Sequence, residues 1–168
     1  MSTDISNKVL TQLANETGQA LLAKEWMLAT AESCTGGWVA KTLTDVVGSS
    51  AWFERGFVTY TNIAKQEMLG VNATVIDKHG AVSELTVREM ARGALKNSHA
   101  HISLAITGIA GPGGGSEAKP VGLVWFAWAI RDDDNIRCEN HIFEGDREAI
   151  RRQAVVTALE GVKACLAE

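Results

Sequence analysis

The chain has 168 residues, 46% of them hydrophobic and 21% charged, with a formal net charge of −4, the ordinary composition of one globular domain. No apolar run approaches the roughly 20 residues that span a bilayer, and Met1 to Asn7 lacks the charged-then-apolar layout of a secretory signal, so a cytoplasmic protein without a membrane partner is expected. The acidic balance argues against nucleic acid as a partner, and three scattered cysteines, Cys34, Cys138 and Cys165, form neither a disulfide framework nor a zinc motif.

In chain order, Leu10, Leu13, Ala14, Leu21 and Leu22 recur at helical spacing, which predicts an amphipathic helix from about Ile5 to Lys24. Met27 to Ala31 is a short apolar run that stops at Glu32-Ser33-Cys34-Thr35-Gly36-Gly37, after which Trp38, Val39, Leu43 and Val46 resume helical spacing. That pattern is strand, tight turn, helix. A second strand is expected from Phe53 to Thr61, then a short helix capped by Asn62 and running to about Leu69, and a further helix from the cap Ser83 through Leu95.

Ile102 to Thr107 reads as a strand, and the glycine-rich loop Gly108 to Ser116 follows it. Val121 to Ile130 reads as a buried strand, with Trp125 and Trp128 as core or pocket wall. A turn at Asp132-Asp133-Asp134-Asn135 joins it to a hairpin partner carrying Ile136, Cys138 and Ile142. Asp146 caps a closing helix with Ile150, Ala154, Thr157, Ala158 and Val162 along one face. Helices alternate with strands and then give way to a hairpin. The expected fold is therefore α/β, a three-layer α/β/α sandwich around a mixed, mostly parallel sheet, in one domain over 1–168.

The turn at Ser33 puts hydroxyls and a thiol at a helix start, where free N–H groups favour negative charge. It serves either as a reactive centre or as a cap with close-packed glycines. Tyr60 and Lys65 bracket the next strand-to-helix junction, so a Ser/Lys pair is one reading and a solvated helix lysine the other. To act as a base, Lys65 needs its ordinary pKa of roughly 10.4 lowered by burial, by a cation such as Arg55, or by a helix N-terminus. Cys34 competes with Ser33 as nucleophile, but no histidine lies at a telling position to activate it. The glycine loop lacks the GK[ST] ending of a phosphate-binding P-loop, because Pro120 follows Lys119. His79, His99, His101 and His141 have no acidic or cysteine partner at ligand spacing, so no metal is expected.

Thr30-Ala31-Glu32-Ser33-Cys34-Thr35-Gly36-Gly37, Gly48-Ser49-Ser50, Gly56-Phe57-Val58-Thr59-Tyr60 with Lys65, His79-Gly80-Ala81-Val82-Ser83, Thr107-Gly108-Ile109-Ala110-Gly111-Pro112 and Lys119-Pro120-Val121-Gly122 together resemble the C-terminal domain of the competence-damage-inducible CinA family. The likeness is strongest to its stand-alone nicotinamide-nucleotide amidases. It spans Thr30 to the helix start at Gly145-Asp146-Arg147, with Gly113 and Thr107 as departures in loop detail.

The resemblance implies conversion of nicotinamide mononucleotide to nicotinic acid mononucleotide and ammonia, with neither metal nor cofactor. Ser33 would be the nucleophile, Lys65 its base and Tyr60 a proton relay or orienting hydroxyl. Backbone N–H groups around Thr35, Gly36 and Gly37 are the candidate oxyanion donors. The glycine-rich loop from Thr107 to Gly115, with Thr107, Gly108, Ala110 and Gly111, is itself expected to dock the substrate phosphate on backbone N–H groups, helped by Arg147 or Lys119. A non-catalytic relative that binds a nucleotide or a protein partner, or an amidase for a different amide, fits the same motifs. Trp26, Trp38 and Trp52 near element ends suggest a homo-oligomer, most simply a dimer.

Overall fold

The computed structural model describes residues 5–168, so the first part of the Met1 to Asn7 stretch lies outside the described residues. Helix α1 (Asn7–Lys24) starts where the Ser6 hydroxyl accepts from Val9 N–H and ends at Glu25 in the left-handed region. Strand β1 (Leu28–Glu32) leads through the Ser33 turn into α2 (Trp38–Thr44). A single 3₁₀ turn precedes β2 (Phe53–Val58), which is followed by α3 (Asn62–Leu69), α4 (Ala73–His79) and α5 (Glu84–Lys96). Strands β3 (Ile102–Gly108), β4 (Leu123–Ile130) and β5 (Arg137–Ile142) then lead into α6 (Arg147–Leu166). No helix of the described residues is long and apolar enough to cross a membrane.

The sheet has the order β2-β1-β3-β4-β5. Strand β1 is parallel to both β2 and β3, and the β3–β4 and β4–β5 ladders are antiparallel. Four of the five strands therefore share a direction, although only two of the four ladders are parallel. Alternation along each strand sorts the side chains by size. Leu28, Ile102, Leu104, Ile106, Val124, Phe126 and Trp128 face α1 and α6 on one side, whereas Ala29, Ala31, Ala105, Ala127 and Ala129 face α5 on the other. Small side chains let α5 approach the sheet closely, while the large ones fill the wider layer under the two long helices.

Trp128 anchors that wider layer. Its indole N–H donates to Ala158 O at 3.0 Å, and its ring occupies space that any side chain at Gly161 would contest, a Cβ there lying 2.0 Å from the ring. Trp52 is 3% exposed and packs on Gly18, contrary to its reading as an uncovered residue at an element end. Trp38 is half-buried beneath the guanidinium groups of Arg151 and Arg152. The tryptophans that suggested an oligomer are thus largely covered within one chain.

Several local expectations shift. The helix cap at the start of α3 is Thr61, whose hydroxyl accepts from Ala64 N–H at 3.1 Å, rather than Asn62. Strand β2 ends at Val58 instead of Thr61, since Thr59 N–H makes the last bond to β1 and Thr61 already caps α3. Helix α4 has no counterpart among the elements expected from sequence.

Thr30, in the middle of β1, is fully buried, and its hydroxyl has no hydrogen-bond partner among the described residues. A buried hydroxyl without a partner costs about 1–3 kcal/mol. Thr30→Val is accordingly expected to raise unfolding stability by about 1 kcal/mol, read as a higher denaturant midpoint with an unchanged slope. A lower midpoint would refute this.

Candidate active site

Because β1, β2 and β3 run parallel, their C-terminal ends lie along one edge of the sheet, the usual position of ligand sites in open α/β sheets. That edge collects the Ser33 turn from β1, Thr59 and Tyr60 from β2, and the loop after Gly108 from β3. Ser33 N–H donates to Ile106 O at 3.1 Å, which ties the turn to β3. Thr59 N–H donates to Glu32 O at 2.8 Å and extends the β1–β2 ladder one residue beyond Val58.

The turn keeps its shape through Glu32 and two glycines. Gly36 and Gly37 have φ of 58° and 98°, left-handed values that other residues adopt only at a cost. Glu32 is 1% exposed. One of its oxygens accepts from the Thr35 hydroxyl at 2.6 Å and from Val39 N–H at 2.9 Å, and the other accepts from Ala40 N–H at 3.1 Å. A carboxylate at the N-terminus of α2 thus satisfies N–H groups that the first helical turn cannot pair internally. In sequence Glu32 read only as part of the turn.

Lys65, on the first turn of α3, is 1% exposed. Its Nζ lies 3.0 Å from Ser33 Oγ, 3.0 Å from Thr59 O and 3.4 Å from Tyr60 O. No ion pair among the described residues includes it. Burial holds its pKa below the usual lysine value. A Cys34 thiolate would oppose that shift, but burial pushes the Cys34 thiol up to about 12. At neutral pH the thiol is uncharged and desolvation acts on Lys65 without that opposition. Arg55 has no part in the shift, since it pairs with Glu54 at 2.8 Å and donates to Asn97 O at 3.0 Å.

The other expected residues divide into two groups. The Tyr60 side chain is 58% exposed, and its hydroxyl accepts from Arg147 Nη2 at 2.9 Å, with no hydrogen bond to Ser33 or Lys65. Arg147 Nη1 donates to Gly111 O at 2.7 Å, so one guanidinium from α6 bridges the end of β2 and the glycine loop. Thr107 and Gly108, at the end of β3, are fixed against their neighbours. The Thr107 hydroxyl donates to Ala81 O at 2.8 Å, and a Cβ at Gly108 would lie 2.7 Å from Val124 and 3.1 Å from Cys34 Sγ. Ala110 is buried, and the Lys119 amine donates to His79 O at the end of α4.

Arg151 carries no signal in the sequence, yet it joins the site. Its Nε donates to Cys34 O at 3.0 Å and its Nη2 to Thr35 O at 3.2 Å. With Thr35, Gly36, Gly37, Trp38 and Lys41 it lines a surface depression of about 270 Å³. Of the expected oxyanion donors, Gly36 N–H is already donated to Ser33 O at 3.1 Å. The N–H groups of Thr35 and Gly37 have no acceptor among the described residues.

Known proteins share this framework over nearly the whole chain. The CinA C-terminal domain family matches residues 10–166. The Escherichia coli K12 protein named nicotinamide-nucleotide amidohydrolase PncC is 56% identical over 156 residues, covering 93% of this chain and 94% of that protein. A Pseudomonas putida protein of the same name is 49% identical over 153 residues, covering 91% of this chain and 94% of that one. The crystal structure of the competence/damage inducible protein CihA from Agrobacterium tumefaciens superposes with a TM-score of 0.91 at 44% identity, covering 100% of both chains.

Proposed function

The chain belongs to the CinA C-terminal domain family, and we propose that it hydrolyses the carboxamide of nicotinamide mononucleotide, giving nicotinic acid mononucleotide and ammonia, with Ser33 as nucleophile and Lys65 as base. The observation that carries the mechanism is the buried Lys65 amine 3.0 Å from the Ser33 hydroxyl. A neutral amine has two N–H bonds and one lone pair. Here two carbonyls, Thr59 O and Tyr60 O, stand ready to accept those N–H bonds, which leaves the lone pair for the serine proton.

Ser33 Oγ attacks the carboxamide carbon as its proton passes to Lys65 Nζ. The C–N bond then breaks, Lys65 returns the proton to the departing nitrogen, and ammonia leaves. Water then attacks the Ser33 ester as Lys65 takes one of its protons, and Lys65 returns that proton to Ser33 Oγ as nicotinic acid mononucleotide leaves. Tyr60 and Arg147 are assigned to the substrate side, because Tyr60 is exposed and its hydrogen bond with Arg147 joins the end of β2 to the glycine loop. Of the two cations near that loop, Lys119 reaches away to the end of α4, whereas Arg147 donates to Gly111 O within the loop and keeps further N–H groups beyond its two bonds. Arg147 is therefore the cation assigned to the substrate phosphate.

Ammonia release from the purified protein tests the reading. Turnover is expected with nicotinamide mononucleotide, together with a kcat/KM at least about tenfold lower for nicotinamide riboside, because a phosphate–guanidinium hydrogen bond contributes about 1.5–3 kcal/mol. Equal efficiency on the two substrates would remove the phosphate assignment, and no ammonia from either would remove the activity.

A further inference from the structure

We infer that Arg151 is a positioning residue for acyl transfer: with Glu32 it fixes the Ser33–Gly37 turn so that the Thr35 N–H is presented to the reacting carbonyl as an oxyanion donor. The inference rests on the nucleophile assignment above. Thr35 is held at three points. Its hydroxyl donates to Glu32 at 2.6 Å, its carbonyl accepts from Trp38 N–H at 3.0 Å and Arg151 Nη2 at 3.2 Å, and the carbonyl before it, that of Cys34, accepts from Arg151 Nε at 3.0 Å. The guanidinium is itself held in place by the Trp38 ring, 5.6 Å from its centre.

In a trans peptide the N–H points opposite the C=O. Anchoring Cys34 C=O on Arg151 therefore turns the Thr35 N–H away from α6. The next peptide has the same arrangement, with Thr35 C=O toward Arg151 and Gly36 N–H donated to Ser33 O at 3.1 Å. Thr35 differs from Gly36 in that its N–H reaches no acceptor among the described residues, although the residue is fully buried. Buried backbone N–H groups without partners are rare. Here the missing acceptor is the oxygen that becomes negative as Ser33 attacks, two residues along the turn.

Steady-state kinetics on nicotinamide mononucleotide tests this in the intact chain. Removal of a whole oxyanion donor lowers kcat by about 10²–10³-fold, and a loosened donor is expected to lose at least about tenfold. Arg151→Met should lose that factor in kcat, with KM within about threefold and the thermal midpoint little changed. Millimolar guanidinium should restore part of the turnover of Arg151→Ala. Thr35→Val, which changes no charge, should fall in parallel, and Thr35→Ser, which keeps the hydroxyl on Glu32, should retain most turnover. If Arg151→Met keeps kcat while Ser33→Ala and Lys65→Arg are inactive, the inference fails and the nucleophile assignment stands. If Arg151→Met loses stability and raises KM in step with its loss of kcat, or if Thr35→Val is fully active, Arg151 is structural and the inference also fails. An active Ser33→Ala removes the assignment beneath it.

Discussion

Lys65→Arg should turn over substrate about 10²–10⁴-fold more slowly than the parent chain, the range that a positioned general base contributes. The substitution keeps the positive charge, yet a guanidinium does not lose its proton at any working pH. Its planar fork must also fit where a primary amine now reaches three oxygens within 3.4 Å. Lys65→Met should be equally inactive for the simpler reason that no base remains. If Lys65→Arg kept more than about a tenth of the turnover, Lys65 would not be the base.

The same residue sets a pH dependence. Burial lowers its pKa from the ordinary 10.5, so kcat/KM is expected to rise with pH through a limb lying below that value, as the amine becomes able to take the Ser33 proton. Between the lowered folded value and 10.5 the unfolded chain binds more protons than the folded one. Stability therefore rises with pH across that window, and what is present above 10.5 is lost as pH falls through the folded value. Lys65→Met has no proton to bind. It should gain most over the parent chain below the window, and the gain should shrink above it. Equal differences on the two sides, measured by denaturant titration, would mean that Lys65 is not desolvated in the folded chain.

Features carried by near neighbours were the legible ones. Ser83 and Asp146 cap α5 and α6 through hydroxyl and carboxylate contacts three residues ahead, a spacing that sequence displays directly. The Ser33 turn, flanked by an apolar run and by helical spacing, was legible for the same reason. Thr61 and Asn62 are adjacent and equally good caps, so spacing could not choose between them. Helix α4 was missed because seven residues with β-branched Thr74, Val75 and Ile76 show no helical period, and only Ile76 is buried. The contacts that shape the site cross far greater separations, 87 residues from Tyr60 to Arg147 and 117 from Cys34 to Arg151. No local pattern records them. The family resemblance groups Tyr60 with Ser33 and Lys65, and in the fold its backbone carbonyl faces the lysine while its hydroxyl faces α6.

Ser33→Ala is expected to abolish detectable turnover, whereas Cys34→Ala should keep most of it, although the two residues are adjacent. Removing a serine nucleophile in comparable hydrolases costs on the order of 10⁶-fold in kcat. Here nothing replaces it, because the neighbouring thiol points elsewhere. Cys34 Sγ packs toward Gly108, where it would lie 3.1 Å from an added Cβ, while Lys65 Nζ meets Ser33 Oγ. The thiol is also electronically unsuited. Its pKa of about 12 leaves almost no thiolate at neutral pH, and the thiolate is the reactive form.

Cys34→Ala should cost stability instead, about 1 kcal/mol for a small buried group removed from the core. The two variants should therefore separate cleanly in turnover, one inactive, the other active though less stable than the parent chain. Peptide mass analysis with fragmentation, after acid quench and digestion, supplies the direct test, since the ester intermediate should be found on Ser33 and be missing from Ser33→Ala. Turnover that survives Ser33→Ala but stops with Cys34→Ala would transfer the nucleophile to the thiol, and with it the need for a base that reaches Sγ rather than Oγ.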